Sequence, residues 1–185
     1  MNSTYTMPRL LPQLRKLVLA ALMLALAYVL PFFTGNIPQI GSMLLPMHLP
    51  TILCGFLCGG PWGAAVGFIA PLMRSAILGM PPPFPTAVSM AFEMAAYGFA
   101  AGFLYQRLPR NLGGIYASLI GAMVCGRVVW GIVMSILLMN GEGFTIAAFV
   151  AGAFANAIPG IILQLVAIPV IVLALQKAKL VPQAV

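Results

Sequence analysis

Residues 17–33 have the sequence LVLAALMLALAYVLPFF, an apolar run that follows directly on Arg15 and Lys16. An α-helix needs roughly 20 apolar residues to cross the hydrocarbon core of a bilayer. The run therefore predicts a transmembrane helix over residues 14–33. A retained helix is preferred to a cleaved signal peptide, because the small residues that mimic a cleavage site lie in the middle of the apolar run.

The composition of the whole chain points to the same class of protein. Of 185 residues, 62% are hydrophobic and only 6% are charged, whereas a soluble domain has about 25% charged residues. So few charges cannot solvate the surface of a globule of this size, which excludes a soluble fold, a disordered chain and a nucleic-acid-binding protein. The net charge of +7 forms no basic patch, because most of the cations lie near predicted helix ends.

Breaks rich in polar residues, glycine and proline divide the apolar sequence into six predicted helices. We predict an all-α polytopic membrane protein in which residues 1–185 form a single transmembrane domain, a compact bundle of six transmembrane helices. The second helix is short, so it either shares part of the preceding loop or lies shallow. The predicted helices cover residues 14–33, 48–60, 62–79, 86–106, 113–139 and 145–176.

Positive charge at the helix ends predicts the orientation of the bundle. The cations lie before helix 1, between helices 4 and 5, and after helix 6, whereas the loops on the other side carry only Glu142. Because Lys and Arg are enriched in cytoplasmic loops, both chain ends are predicted to be cytoplasmic. The flanking cations are Arg9, Arg15, Lys16, Arg107, Arg110, Lys177 and Lys179.

Three charged side chains fall inside the predicted spans, where a charge is costly and indicates a candidate functional site. Counted along the helices, Arg74, Glu93 and Arg127 belong to the outer half of the membrane. Asn156 falls there too, whereas Gln164 does not. A water-filled pocket open to the outside would explain the clustering. Its net positive charge would suit a small substrate with a carboxylate, because the planar fork of Arg matches that group.

Tyr97 and Trp130 lie within one helical turn of these charges and are candidate walls of the pocket. The alternative is a structural pair between Glu93 and an arginine that only fastens two helices, with Arg74 extending to the outer surface. His48, at the start of helix 2, is predicted to be an interfacial cap rather than a ligand-binding residue.

Ala21 and Ala25 form an Ala-x-x-x-Ala pair in helix 1, a spacing that lets two helix backbones approach closely. From the residues alone, packing inside the bundle and docking of a partner are equally compatible with this pair.

Motifs for catalysis and nucleotide binding are absent from the sequence. There is no Gly-x-x-x-x-Gly-Lys-Ser/Thr loop, no Gly-x-Ser-x-Gly elbow and no His-Glu-x-x-His pair. One histidine and one membrane glutamate leave almost no acid–base chemistry. We therefore expect neither an enzyme nor a cofactor or metal site.

The chain resembles the S component of energy-coupling factor (ECF) vitamin transporters. The resemblance is carried by the number of helices, the Ala-x-x-x-Ala pair, and the stretch from Met47-His48-Leu49-Pro50 through Cys54-Gly55-Phe56 to Gly63-Ala64-Ala65-Val66-Gly67-Phe68. It covers nearly the whole chain, but its motifs are loose.

The resemblance implies a subunit in a prokaryotic cell membrane that binds one vitamin from outside. The family's pocket lies in the outer halves of helices 4 to 6, capped by the loops after helices 1 and 3. Helix 1 packs on a transmembrane (T) component through Ala21 and Ala25, and two separate ATPase subunits drive the cycle. Residues at pocket positions would be Glu93, Tyr97, Arg127, Trp130 and Asn156.

No motif dictates the substrate. A net positive pocket with few aromatic side chains favours a small anion, so a pantothenate-like molecule is the first hypothesis and a flavin the second. A membrane scaffold without a ligand is the alternative of a different class, in which the polar cluster would only pair internally.

Overall fold

The computed structural model describes residues 10–34, 43–139, 145–153 and 157–178. Within these ranges the chain forms helices and no β-strand. A short 3₁₀ segment, Leu30–Thr34, follows the first helix, and the turn Pro83–Ala87 precedes the fourth. The α-helices are α1 (Leu10–Val29), α2 (His48–Cys58), α3 (Gly60–Leu78), α4 (Val88–Arg107), α5 (Leu112–Leu137), α6 (Ile146–Ala153) and α7 (Ile158–Lys177).

Five described segments are long and apolar enough to cross a membrane, and α2 is a shorter apolar helix. The protein is therefore an all-α membrane bundle, which confirms the predicted fold class. The five segments are Gln13–Phe33, Gly60–Leu78, Pro83–Arg107, Leu112–Leu137 and Ile158–Lys177.

The short α2 is an interior element of the bundle. Its 11 residues rise only about 16 Å, which is half of a hydrocarbon core that is about 30 Å thick. Most of its side chains are nevertheless buried, because α1, α3, α4 and α7 all pack against it. The helix that is too short to span the membrane thus brings its first residue, His48, into the interior.

The sixth predicted helix, residues 145–176, is described in two parts. It corresponds to α6 and α7, and residues 154–156 between them lie outside the described part of the chain. Ala157 precedes the first turn of α7 and Pro159 lies within that turn. Proline is favoured there because its missing N–H needs no helical partner, so it marks a helix start in an otherwise uniform apolar run.

Glycines let α2, α3 and α4 pack with their backbones in contact. A methyl group at Gly63 would overlap the backbone of Gly98, and one at Gly98 would overlap Gly63. Gly59 has φ +98°, a conformation that only glycine adopts without strain, and it allows the break between α2 and α3. These contacts fix α4 at the centre of the bundle, where it is the most buried of the described spans.

Three contacts show which helix ends share one side of the bundle. Cys58, at the end of α2, donates to the Lys16 carbonyl near the start of α1 (3.6 Å). Gln176, near the end of α7, donates to the Arg110 carbonyl between α4 and α5 (3.3 Å), and Gly59 lies beside Gln106 at the end of α4. The predicted cytoplasmic ends thus gather on one side.

Candidate functional site

The candidate site begins with the face that α4 turns to the centre of the bundle. Glu93 and Tyr97 lie one helical turn apart on this face and are 2% and 1% exposed. The Tyr97 ring fills the space above Gly126 of α5, where a methyl group would overlap the ring. Arg127 follows Gly126 in α5. Because α4 and α5 approach closely at Gly126, the Arg127 side chain reaches Glu93.

Arg127 and Glu93 form a buried ion pair. The Arg127 Nη1 donates to Glu93 Oε1 at 2.7 Å, and the two side chains are 7% and 3% exposed. Neither charge could remain alone at this depth, because the loss of water around an isolated buried charge costs several kcal/mol. The pair therefore compensates both charges and ties α4 to α5.

His48 joins this pair from α2. Its Nε2 lies 3.6 Å from Glu93 Oε1, a distance beyond a normal hydrogen bond, and its ring meets the Tyr97 ring edge-on with centroids 5.1 Å apart. The residue is 1% exposed, so its prediction as an interfacial cap is wrong. The reason is that α2 lies inside the bundle and carries its N-terminal residue inward.

Seven buried side-chain nitrogen and oxygen atoms have no hydrogen-bond partner in the described structure. Four belong to this cluster, namely Nδ1 and Nε2 of His48 and Nε and Nη2 of Arg127, and the others are Nε2 and Oε1 of Gln164 on α7 and Oγ of Ser75 on α3. Native proteins pair the large majority of such atoms. A group of unpaired ones therefore marks a place where a ligand or water supplies the missing partners.

The unpaired atoms of Arg127 form one defined edge. In a guanidinium the hydrogens of Nε and Nη2 point in the same direction, and this edge holds a carboxylate through two parallel hydrogen bonds. Glu93 contacts Nη1, so the ion pair leaves that edge intact. Arg127 can compensate Glu93 and accept a second anionic group at the same time.

Gln164 was not predicted as a site residue. It lies on the buried stripe of α7 with Gly160 and Ile168 and is 1% exposed. One pattern in the sequence could have identified it, since a single amide in the long apolar run 158–175 is costly unless something binds it.

Arg74 lies at a different place. Its Nη1 donates to the Tyr28 carbonyl at 2.7 Å, and its guanidinium is 5.0 Å from the centre of the Phe32 ring. The side chain is buried, at 4% exposure, and holds the outer end of α3 against α1. It does not extend to the surface.

Trp130 contacts Phe149, one of the residues that line a groove between α5 and α6. Its ring stacks on Phe149 with centroids 6.0 Å apart and an angle of 27°. The groove has a volume of about 440 Å³ and is mainly apolar. Its floor includes Gly131 and Ser135, one and two turns after Arg127 on the same face of α5. The groove thus extends along this face away from the ion pair.

Two further predictions concern residues elsewhere. Ala21 and Ala25 are both exposed, whereas Ala20 and Ala27 are buried against the bundle, so the Ala-x-x-x-Ala pair faces outward from this subunit. Asn156 lies outside the described residues, and so do residues 35–42 of the predicted outer loop.

A family model for the substrate-specific component of ECF transporters matches residues 15–172. No curated protein and no solved structure gives a match. The matched region takes in α2 to α6 completely, most of α1 and α7, and every described residue of the central polar cluster. The chain therefore belongs to the family of substrate-specific components of ECF transporters, which are transport subunits of the membrane and not enzymes.

Proposed function

We propose that this subunit captures a small water-soluble vitamin bearing a carboxylate, from the outer side of a prokaryotic cell membrane, for ATP-driven uptake. The single observation that supports the carboxylate is the unpaired Nε–Nη2 edge of the buried Arg127. A pantothenate-like molecule is the first candidate. A flavin is the second, because it would use the polar cluster without an anionic group.

The groove beside Trp130 supports an entry path from outside. With both chain ends in the cytoplasm, α5 runs outward, so Gly131 and Ser135 lie between Arg127 and the outer surface. The Phe149 ring covers Gly131, where a methyl group would overlap it, and this ring stacks on Trp130. Glu93, Tyr97 and Arg127 then form the inner end of the binding site, and the pair of aromatic rings lies beside the way to it. Asn156 stays a proposed member on sequence grounds, whereas the contacts of Arg74 favour a structural role.

Uptake requires partners that hydrolyse ATP, since this chain has no nucleotide-binding loop. In the proposed complex, a T component binds α1 and two ATPase subunits act on the cytoplasmic side. Exposure of Ala21 and Ala25 supports this docking, because small residues on an outer face allow a second helix to approach closely.

A scaffold subunit without a ligand would need the polar cluster to be satisfied internally. The pair between Glu93 and Arg127 fits that alternative, but the unpaired edge of Arg127 and the unpaired His48 do not. We therefore favour the binding subunit.

A panel of vitamins tests the proposal on the purified subunit in nanodiscs. A ligand of the native state raises the melting temperature by mass action, so pantothenate, or a related carboxylate, should stabilise the protein. Arg127→Ala should weaken its binding by about 2–5 kcal/mol. Arg127→Lys should also bind poorly, because a point charge lacks the two-pronged edge.

The matched control is Arg107→Ala, which removes a cation from the end of α4, where it lies over Phe103, far from the cluster. This variant should bind like the wild type. An Arg127→Ala protein that folds and binds with unchanged affinity would remove Arg127 from the site and the carboxylate with it.

A further inference from the structure

Gln164 differs from Gln176, the other buried glutamine of the same helix. Gln176 donates to the Tyr105 hydroxyl at 2.7 Å and to the Arg110 carbonyl. Both amide atoms of Gln164 lack a partner among the described residues, although the side chain is 1% exposed. Burying an amide without hydrogen bonds is unfavourable, so packing alone does not explain why Gln164 is buried.

The contacts of α7 show that it runs in the same direction as α2 and α4. The start of α2 contacts the first half of α4 at Glu93, and its last turns meet Gly98 and Gly102. Gly160, near the start of α7, lies against Met43 and Leu44 just before α2, where a methyl group would be 2.7 Å from the Met43 carbonyl. Gln176, near the end of α7, contacts the end of α4.

This common direction fixes the depth of Gln164. Gln176 and Tyr105 are in contact, and Gln164 and Glu93 each precede these residues by the same 12 positions. Moving back about 18 Å along both parallel helices brings Gln164 to the level of Glu93. The sequence count along residues 145–176 predicts a deeper position, and the contact of Gln176 with Tyr105 corrects it.

We propose that Gln164 and His48 form a second polar end of the ligand site, opposite the Arg127 edge. An amide side chain offers one acceptor and two donors, so its natural complement is an amide or imide of the ligand. The imidazole of His48 adds two ring nitrogens that can bond to the ligand, and the ionisable groups that face it are Glu93, Tyr97 and Arg127. The ligand is thus a molecule with a carboxylate and an amide-type group. This inference rests on the proposed function.

Substitution of the two glutamines distinguishes a ligand-binding role from a structural one. We would measure melting temperature without ligand, and affinity by calorimetric titration, for the wild type, Gln164→Leu and Gln176→Leu. Pantothenate and riboflavin serve as probes, since the first carries a carboxylate and an amide, and the second an imide without a carboxylate.

Gln164→Leu should melt at the same or a higher temperature than the wild type, because it removes an unpaired buried amide. The same change should weaken binding of the probe by about 10- to 100-fold, as expected for one or two lost hydrogen bonds. Gln176→Leu should show the reverse, with a lower melting temperature and unchanged affinity. His48→Phe should have the same two effects as Gln164→Leu, an equal or higher melting temperature and weaker binding of the probe.

Three results would overturn the inference. If Gln164→Leu binds the probe like the wild type, the second polar end does not exist, although the proposed function stands. If Gln164→Leu melts lower without ligand, as Gln176→Leu does, the amide is structural. If neither probe stabilises the wild type, the proposed substrate class fails and the inference fails with it. If riboflavin binds, pantothenate does not, and the binding of riboflavin is weakened by Gln164→Leu, the amide-type end is supported and the carboxylate is overturned.

Discussion

Replacing Glu93 by Gln should destabilise the empty subunit and yet tighten its binding of a carboxylate ligand. Without a ligand, Glu93 is the anionic partner of Arg127, at 2.7 Å. Glu93→Gln keeps the shape of the side chain but leaves the guanidinium charge uncompensated. Breaking one partner of a buried pair typically costs about 3–5 kcal/mol, so the melting temperature without ligand should fall clearly.

The gain in affinity follows from the geometry of the guanidinium. Glu93 occupies Nη1, and the proposed ligand carboxylate occupies the Nε–Nη2 edge. Two carboxylates on different edges of one guanidinium lie roughly 6–7 Å apart and repel by about 2–3 kcal/mol at an effective dielectric constant near 20. Removing this repulsion should strengthen binding by about 2 kcal/mol, which is roughly 30-fold.

Calorimetric titration with pantothenate and with its alcohol analogue pantothenol is the assay. The alcohol is the control, because it has no charge to be repelled by Glu93 and should gain nothing from Glu93→Gln. Ligand-induced stabilisation should also be larger in the variant, since the ligand then supplies the missing anion. A folded Glu93→Gln protein that binds pantothenate more weakly than the wild type would refute a carboxylate on Arg127.

Three further outcomes test other parts of the proposal. Ala25→Trp should weaken co-purification with the T component and leave ligand binding intact, because the residue is exposed on α1; loss of ligand binding with intact assembly would instead show that the face is internal. With the native cysteines removed, an impermeant thiol reagent should label Asn140→Cys and not Arg110→Cys in intact cells, and the reverse pattern would invert the topology. Gly98→Ala should destabilise the bundle by about 1–3 kcal/mol or more, because its methyl group overlaps Gly63. Gly113→Ala, where the nearest atom is 3.5 Å away, should be close to neutral in SDS unfolding titrations.

Hydrophobic length and helix-breaking residues were enough to predict the all-α membrane bundle. The physical reason is that a span in lipid must pair every backbone group internally, so an apolar run of sufficient length has one possible structure. The same reasoning placed Glu93, Tyr97 and Arg127 in neighbouring parts of the bundle, since charges in spans gather away from lipid. It could not decide which arginine pairs with Glu93, because that depends on helix rotation.

What the sequence did not predict depends on contacts between distant segments. His48 is next to a polar loop in sequence and becomes a central residue only because α1, α3 and α4 surround the short α2. The depth of Gln164 follows from the contact of Gln176 with Tyr105, which joins two helices that are far apart in sequence. Arg74 was grouped with the pocket by depth alone, whereas the Tyr28 carbonyl determines where its guanidinium lies.

Arg127 can fasten two helices and also bind a ligand, although these two roles are alternatives when only the sequence is considered. Its nitrogens divide between the two tasks, with Nη1 on Glu93 and the Nε–Nη2 edge unpaired. Without Glu93, the charge of Arg127 would be uncompensated at this depth in the membrane whenever no ligand is bound, which is costly. Glu93 therefore stabilises the ligand-free protein. The same partner repels an anionic ligand and limits its affinity. A subunit that must release its cargo on the other side of the membrane benefits from such a limit, and Glu93→Gln should therefore bind more tightly but release more slowly.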